Sequence, residues 1–425
     1  MVKAYKNPII RGMHPDPSIV RVNDTYYLAN STFEYYPGVT VMTSKDLLNW
    51  KTIGGVATVP EQADLRKSKS NEGIFAANIR YHGGYFYVIT TNFAEFKTFI
   101  IRGELISDGV IEWDKSRIEI DIPGIDPDLY FENDRTYVQF TGYIDDKGTK
   151  AIRQVEIDVT TGTILNGPKI LTYGAGGRDV EGPHIFKKDG WYYLLVAEGG
   201  TGEGHMITIF RSKELWGSYE SYTNNPIFTN RDRANEAIQN VGHGDLFVDP
   251  NGNWWLVCLG TRPASAGFKQ ITNLGRETLL YPVEWKEGWP IINNGIPTEE
   301  VDLTDFPQHA AILTHEQKQY DFVDKFNEDN LRPEWLTLRD SLGDNLTIVD
   351  NSLILNGNNL TISDLSTASF VGLRQTEHEE LFEIKIDSEK SQLNDGSFGI
   401  ASLIDVNNHA AIMVQKSEKG YDVYR

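Results

Sequence analysis

The strongest constraint on the fold is a pattern that occurs five times in the first 290 residues. Each copy opens with a small, acidic or imidazole residue, continues as an alternating apolar run, passes through a polar turn and ends in aromatic residues. The copies read DPSIVRVNDTYYLANS from Asp16, AANIRYHGGYFYVITT from Ala76, DPDLYFENDRTYVQFTG from Asp126, EGPHIFKKDGWYYLLVAE from Glu181 and HGDLFVDPNGNWWLVCLG from His243. Alternation predicts strands, and turn pairs such as Gly83-Gly84 and Asp189-Gly190 predict hairpins.

The spacing of these copies predicts the architecture. They begin about 50 to 60 residues apart, which leaves room for about four strands in each unit. Helix-period patterns between them are scarce. We therefore predict an all-β chain whose main part is a five-bladed β-propeller with a central channel lined by the innermost strands. The aromatic residues are expected to pack between blades: Tyr26, Tyr27, Phe86, Tyr87, Tyr192, Tyr193, Trp254 and Trp255.

The repeat ends before residue 295, and the composition changes twice after it. Residues 296–319 are polar, contain two prolines and lack the repeat, so we predict a linker that wraps the propeller. Short alternating stretches such as NLTIVDNSLILNG and FGIASLIDV follow, and they predict a β-sandwich. The predicted organisation is a propeller over residues 1–295, a linker over 296–319 and a sandwich over 320–425.

Net charge and cysteine content exclude several classes of partner. The chain has 60 acidic and 40 basic residues, a formal charge of -20 that repels nucleic acids and anionic membranes, so a neutral substrate fits better. Cys258 is the only cysteine and lies in an apolar run, which excludes an intramolecular disulfide and a thiolate metal site. We see no secretion signal and no apolar stretch of about 18 residues, and we predict a cytoplasmic protein.

Three carboxylic acids occupy the same place in the repeat. Asp16, Asp126 and Glu181, together with His243, each begin an innermost strand, so they are expected to meet at one mouth of the channel. Asp-Pro and Asp-Gly are common turn formers, so each acid alone could be structural. Three acids in one phase suit hydrolysis of a glycosidic bond, which needs a protonated carboxyl and a second carboxylate. The prolines around Asp16 hold its carboxylate in place. His243 could cap a turn, fill the core, orient a carboxylate or coordinate a hard cation.

At these residues the chain resembles glycoside hydrolase family 43, five-bladed propeller enzymes that remove β-xylosyl and α-L-arabinofuranosyl groups. The resemblance rests on HPDPSIVRVNDTYYLANSTFEYYPGV, GIDPDLYF, EGPHIFKKDGWYYLLVAEGG, GHGDLF and LGRETLLYPVEWKEGWP, which lie in the family's order within residues 7–292. The segment that opens DFVDKFNEDNLRPEWLTLRD is similar to the sandwich that follows the propeller in the xylosidase branch.

The resemblance implies a role for each acid. Asp16 matches the general base, Glu181 the general acid, and Asp126 the residue that tunes and orients that acid. Many relatives have serine where this chain has Asp128, so the charge around Asp126 differs. The implied reaction is a single displacement with inversion, in which the carboxyl groups stand about 6.5 to 9.5 Å apart to admit water. No metal or redox cofactor takes part in that chemistry.

The resemblance also implies a substrate pocket. Arg276 matches an arginine that binds sugar hydroxyls, and Phe33 and Phe75 match pocket aromatics, although the second is often tryptophan in relatives. His243 matches a channel histidine that in some relatives is associated with a structural Ca²⁺ ion. The sandwich of the xylosidase branch is longer than residues 320–425, so we expect this one to be incomplete. An open sandwich edge would otherwise favour a homo-oligomer.

The expected activity is exo-acting release of terminal β-1,4-linked xylose, and also of α-L-arabinofuranose, from short xylo- or arabino-oligosaccharides. A mainly α-L-arabinofuranosidase activity is the first alternative, and relative rates on the two nitrophenyl pentosides distinguish them. A fructan-cleaving propeller that retains configuration would act on sucrose instead. A non-catalytic carbohydrate-binding propeller would bind oligosaccharides without turnover.

Overall fold

The computed structural model describes residues 2–425 except 268, 320, 394, 395 and 419. Tyr320, at which the sandwich is predicted to begin, lies outside the described residues. The domain boundaries therefore stay predictions.

The first two blades are antiparallel sheets that follow one another along the chain. Blade 1 has the strand order β2-β3-β5-β6, and blade 2 has the order β10-β9-β8-β7 with β11 paired to β9. The strands of these blades, together with the N-terminal strand β1 and the short strand β4, which belong to neither blade, are β1 (Ala4–Lys6), β2 (Ser18–Val22), β3 (Thr25–Ser31), β4 (Tyr35–Tyr36), β5 (Val39–Ser44), β6 (Lys51–Val56), β7 (Asn78–His82), β8 (Tyr85–Asn92), β9 (Lys97–Ser107), β10 (Val110–Trp113) and β11 (Ile118–Ile120).

Three further sheets complete the repeat. Blades 3, 4 and 5 have the orders β12-β13-β14-β15, β16-β17-β18-β19 and β20-β21-β24-β25, and β22 and β23 form a separate hairpin. The strands are β12 (Gly124–Glu132), β13 (Arg135–Tyr143), β14 (Lys150–Ile157), β15 (Ile164–Thr172), β16 (Glu181–Lys188), β17 (Trp191–Glu198), β18 (Met206–Ser212), β19 (Glu220–Ser221), β20 (Gln239–Val248), β21 (Trp254–Thr261), β22 (Ala264–Ala266), β23 (Lys269–Ile271), β24 (Glu277–Lys286) and β25 (Trp289–Ile292).

These five sheets close into a ring. The innermost strands β2, β7, β12, β16 and β20 each contact the innermost strands of the two neighbouring blades, and β2 contacts β20. The N-terminal segment joins the first blade to the last, because the amide N of Ile9 donates to Thr278 O and the side chain of Asn7 hydrogen-bonds the backbone of Leu280. The prediction of a five-bladed β-propeller is confirmed.

Hairpin turns and aromatic side chains behave as the repeat predicts. Both central residues of the Asp189-Gly190 turn have positive φ, 49° and 76°, which the tight turns of twisted hairpins require. Tyr27 of blade 1 packs on Phe86 of blade 2 with 4.7 Å between ring centroids, and Tyr26 packs on Phe247 of blade 5 at 5.7 Å. The apolar clusters of the propeller thus lie between blades.

The chain after the propeller packs against it. β26 pairs with β1, and β27 pairs with β4, so both the linker and the C-terminal module add strands to elements of the propeller region. The remaining strands of the module form small antiparallel sheets. The elements after residue 292 are a 3₁₀ turn at Asn293–Gly295, β26 (Glu300–Asp302), α1 (Pro307–Ala310), β27 (Leu336–Leu338), a 3₁₀ turn at Gly343–Asn345, β28 (Leu346–Val349), β29 (Ser352–Leu355), β30 (Val371–Gly372), β31 (Ser397–Asp405), β32 (Asn408–Ser417) and β33 (Gly420–Tyr424). Over the described residues, none of the helices has the length and apolar character needed to cross a membrane.

Candidate active site

A cavity of about 480 Å³ lies where the five innermost strands begin. Each blade contributes to its wall the residue at which its copy of the repeat starts: Asp16, Ala76, Asp126, Glu181 and His243. Phe33, Phe75 and Arg276 also line it, so the structure brings all seven predicted site residues together. The other lining residues are Met13, Asn71, Ile125, Thr201, Gly202, Asn240, Thr261, Thr272 and Gly275.

A shared backbone feature aims these side chains into the cavity. Asp16, Asp126 and His243 have φ of 49°, 51° and 44°, and Gly182, which follows Glu181, has φ of 59°. In blades 3, 4 and 5 the strand register shifts at these positions, which are β-bulges. A left-handed conformation costs a non-glycine residue about 1 to 2 kcal/mol, and bulges re-aim side chains next to active sites. Asp16, Asp126 and His243 therefore each carry backbone strain at the cavity.

Asp16 is held between a cation and an imidazole. Its side chain is 6% exposed, Arg276 Nη1 lies 3.2 Å from its Oδ1, and His243 Nδ1 lies 3.3 Å from the same oxygen. Burial lowers the pKa of His243 to about 4, although the charge of Asp16 opposes this shift. The imidazole is thus neutral near pH 7, and Arg276 is the cation that faces the Asp16 carboxylate.

Glu181 and Asp126 are buried acids whose protonated forms are favoured. Burial raises the pKa of Asp126 well above its ordinary value, and the charges of Glu181 and Asp16 raise it further. Burial also raises the pKa of Glu181, against the Lys150 ammonium, whose Nζ lies 3.5 Å from Glu181 Oε2 and 3.2 Å from Asp179 Oδ1. A carboxyl group with a raised pKa can donate a proton near neutral pH, as general acid catalysis requires.

Stacked aromatic rings form one wall of the cavity. The ring centroids of Phe33 and Phe75 are 5.9 Å apart, and Phe75 stacks on Phe93 at 4.5 Å. The guanidinium carbon of Arg276 lies 5.2 Å from the centre of the Phe33 ring. This combination offers an apolar face beside a forked donor, which suits a sugar ring with its hydroxyl groups.

The C-terminal module supports that wall from behind. Glu34, which follows Phe33, accepts hydrogen bonds from the backbone amide N of Asn71 at 3.0 Å and, through its carbonyl O, from the amide N of Arg339 at 2.8 Å. The Arg339 side chain is fully buried, and its Nε donates to Ser68 O. Burial raises the pKa of Glu34 to about 7, against the opposing charge of Arg339.

The donor set around His243 does not fit a Ca²⁺ ion. Calcium takes about six to eight oxygen ligands at 2.3 to 2.6 Å. Further along the channel, Asp128 lies 2.7 Å from Arg80 Nη2 and Asp245 lies 2.8 Å from Arg80 Nη1, so one guanidinium already pairs with both carboxylates. Across the described part of the chain, no three His, Cys, Asp or Glu side chains form a group that could hold a metal ion.

Sequence reasoning missed three residues that shape this site. Lys150 is the first residue of β14 and carries no motif, so only the fold reveals its contact with Glu181. Arg80 and Asp245 do carry a signal. Asp245 lies two residues beyond His243, as Asp128 lies two beyond Asp126, and Arg80 lies four beyond Ala76; side chains an even number of positions apart along a strand share a face.

Comparisons with known proteins identify the family of the chain. The family model of glycosyl hydrolases family 43 matches residues 5–290, and the model of the beta xylosidase C-terminal Concanavalin A-like domain matches residues 323–425. The chain belongs to glycosyl hydrolase family 43, and it is a glycosidase that consists of a five-bladed β-propeller and a β-sandwich.

Several relatives in this family are similar over most of the chain. A non-reducing end alpha-L-arabinofuranosidase of Bacteroides ovatus, BoGH43B, is 34% identical over 97% of this chain and 76% of its own length. A xylosidase/arabinosidase of Butyrivibrio fibrisolvens is 38% identical over 88% of this chain and 72% of its own length. The crystal structure of a xylan beta-1,4-xylosidase from Bacillus halodurans superposes with a TM-score of 0.85 at 29% identity, covering 99% of this chain and 81% of that one.

Proposed function

We propose that this glycosidase is exo-acting and inverting, and that it releases terminal β-1,4-linked xylose and also α-L-arabinofuranose from short oligosaccharides. The observation that carries the proposal is the pairing, in one cavity, of Glu181 with its raised pKa and Asp16 with its Arg276 partner. The names of the Bacteroides and Butyrivibrio relatives support the choice of pentoses.

The two carboxyl groups would act on opposite faces of the sugar. Asp16 accepts a proton from a water molecule whose oxygen forms the new bond to the anomeric carbon. Glu181 donates its proton to the glycosidic oxygen as the bond from that oxygen to the anomeric carbon breaks. Asp16 ends the step protonated and Glu181 ionised, and proton exchange with solvent restores both.

The remaining residues would support these two transfers. The charge of Asp16 raises the pKa of Glu181 and so favours the protonated acid, while Lys150 opposes that effect. Asp126, whose own protonated form is favoured, interacts with Glu181 and would orient it. Arg276 holds the Asp16 carboxylate and presents its other donors to the sugar hydroxyls. Phe33 and Phe75 contact the apolar face of the ring.

A mainly α-L-arabinofuranosidase activity is the second candidate. Phe75 favours it, because a phenyl ring leaves more room in the pocket than the indole often present in relatives. The similarity to the Bacteroides arabinofuranosidase, which extends over 97% of the present chain, also favours an arabinofuranosidase activity.

The first experiment follows xylobiose hydrolysis by proton NMR before the product undergoes mutarotation. Initial release of α-xylose is expected from an inverting β-xylosidase, whereas initial β-xylose would refute the assignment of Asp16 as a general base. Relative rates on nitrophenyl β-xyloside and nitrophenyl α-L-arabinofuranoside then order the two candidates. A protein that binds both sugars and cleaves neither would refute the proposal.

A further inference from the structure

A second ring of polar side chains lies next to the site along the channel. Each innermost strand contributes one member, and we call the five together the channel pentad: Ser18, Arg80, Asp128, His184 and Asp245. Ser18, Asp128 and Asp245 follow the site residues Asp16, Asp126 and His243 by two positions in the chain. Asp128, His184 and Asp245 are at most 3% exposed.

Arg80 makes direct contact with the other four members. Its Nη2 lies 2.7 Å from Asp128 Oδ2 and 2.9 Å from His184 Nδ1, and its Nη1 lies 2.8 Å from Asp245 Oδ2 and 3.0 Å from Ser18 Oγ. Asp245 Oδ2 also accepts hydrogen bonds from Ser18 Oγ at 3.0 Å and from the amide N of Ile19 at 3.1 Å. One guanidinium thus links all five blades.

The charges explain why the residue is an arginine. Two buried carboxylates in a channel need a cation, since an unpaired buried charge is strongly disfavoured. A guanidinium can donate to two carboxylates at once from a planar fork, which an ammonium group cannot reproduce. Asp128 and Asp245 reach Arg80 from blades 3 and 5, so both charges are met by one side chain.

We propose that Arg80 is the built-in cation of the channel and a positioning residue for the reaction. It forms ion pairs with both Asp128 and Asp245, in place of a bound divalent cation, and by tying the five strands it sets the positions of Asp16 and Asp126. The positioning part rests on the proposed function. The cation part concerns charge and stability and does not depend on which glycoside is cleaved.

Two variants separate charge from position. Arg80→Met removes the guanidinium charge from Asp128 and Asp245 and leaves them His184, whose Nδ1 lies 3.0 Å from Asp128 Oδ2 and 3.8 Å from Asp245 Oδ1. Arg80→Met combined with Asp128→Asn and Asp245→Asn keeps the shapes and removes all three charges. We expect the single variant to melt well below wild type and the triple variant to recover most of that loss. A single variant as stable as wild type would overturn the cation role. Arg135→Met, which removes an exposed arginine 3.7 Å from Glu156, is the matched control and should change nothing.

Turnover tests the positioning role in the folded triple variant. We expect kcat to fall about 10- to 100-fold with little change in KM, because a displacement of about 1 Å costs that much, and the limbs of the pH profile to move. Wild-type kcat and an unchanged pH profile in the triple variant would show that the pentad is only structural and would overturn this part. If wild type cleaved no pentoside, the proposed function would fail, but the melting comparison would still decide the cation role.

Metal content provides an independent measurement on the wild-type protein. We expect elemental analysis to find no stoichiometric calcium or magnesium, and the Tm to be the same in EDTA and in millimolar CaCl2. Stoichiometric calcium whose removal lowers the Tm would mean that the channel takes its cation from solution, and it would overturn the proposal.

Discussion

Replacing Lys150 with methionine tests how the pKa of the proposed acid is set. The Lys150 Nζ is 3.5 Å from Glu181 Oε2, and the Lys150 side chain is 15% exposed. Two unit charges about 4 Å apart at an effective dielectric constant of about 20 interact by about 4 kcal/mol, which corresponds to about 3 pKa units. Because Asp179 lies closer to the ammonium, at 3.2 Å, it takes part of that interaction. We expect Lys150→Met to raise the pKa of Glu181 by about 1 to 2 units.

The sign of the effect is visible in the pH dependence of kcat/KM. The proposed acid must be protonated, so activity is lost as pH rises through the pKa of Glu181, and removal of Lys150 should move this basic limb upward by about 1 to 2 pH units. Turnover of xylobiose at the optimum should fall a few-fold, because a weaker acid donates less readily. Rates are measured across pH on xylobiose and on an activated aryl xyloside.

A matched lysine controls for the loss of charge itself. Lys187 lies on the same strand as Glu181 and pairs with Glu132 at 2.7 Å, outside the cavity. Lys187→Met should leave both limbs of the pH profile in place. If Lys150→Met left the basic limb unmoved, or moved it downward, the ammonium would not be what limits the pKa of Glu181, and the electrostatic reasoning would be wrong.

Three further predictions follow from the same contacts. Glu181→Ala should fold normally and lose most turnover of xylobiose but less on an activated aryl xyloside; equal losses on the two substrates would contradict an acid role. The Asp126→Asn variant should become more stable relative to wild type as pH rises from about 4, because the raised pKa of Asp126 makes the contribution of this carboxyl to folding fall as it ionises. Denaturant unfolding at several pH values measures the free energy of unfolding of both proteins. Plots of that free energy against pH that run parallel would contradict the prediction. Arg339→Met should lower the free energy of unfolding by about 3 kcal/mol near pH 8, where Glu34 with its pKa of about 7 is ionised. It should also raise KM, because the cavity wall that contains Phe33 loosens. An unchanged free energy of unfolding and an unchanged KM would show that the buried arginine supports neither the fold nor this wall.

Much of the propeller was predictable because its information is local. Alternation, turn pairs and aromatic positions repeat within each copy, so the strands and the blade period follow from neighbouring residues. The same phase placed Asp16, Asp126 and Glu181 at equivalent strand entrances, and the structure has them around one cavity. Phe33 and Arg276 lie outside the repeat, and only the family resemblance pointed to them.

The sequence by itself therefore determined the hairpins, their number and the strand entrances that carry acids. Only the tertiary structure decided which groups meet across blades: Arg80 with Asp128 and Asp245, Lys150 with Glu181, and Arg339 with Glu34. The physical reason is that strand period and turn geometry depend on residues a few positions apart, whereas the charge environment of a buried group depends on which blades become neighbours when the ring closes. The partners of Arg80 are 48 and 165 residues away in the chain, and no local pattern links them.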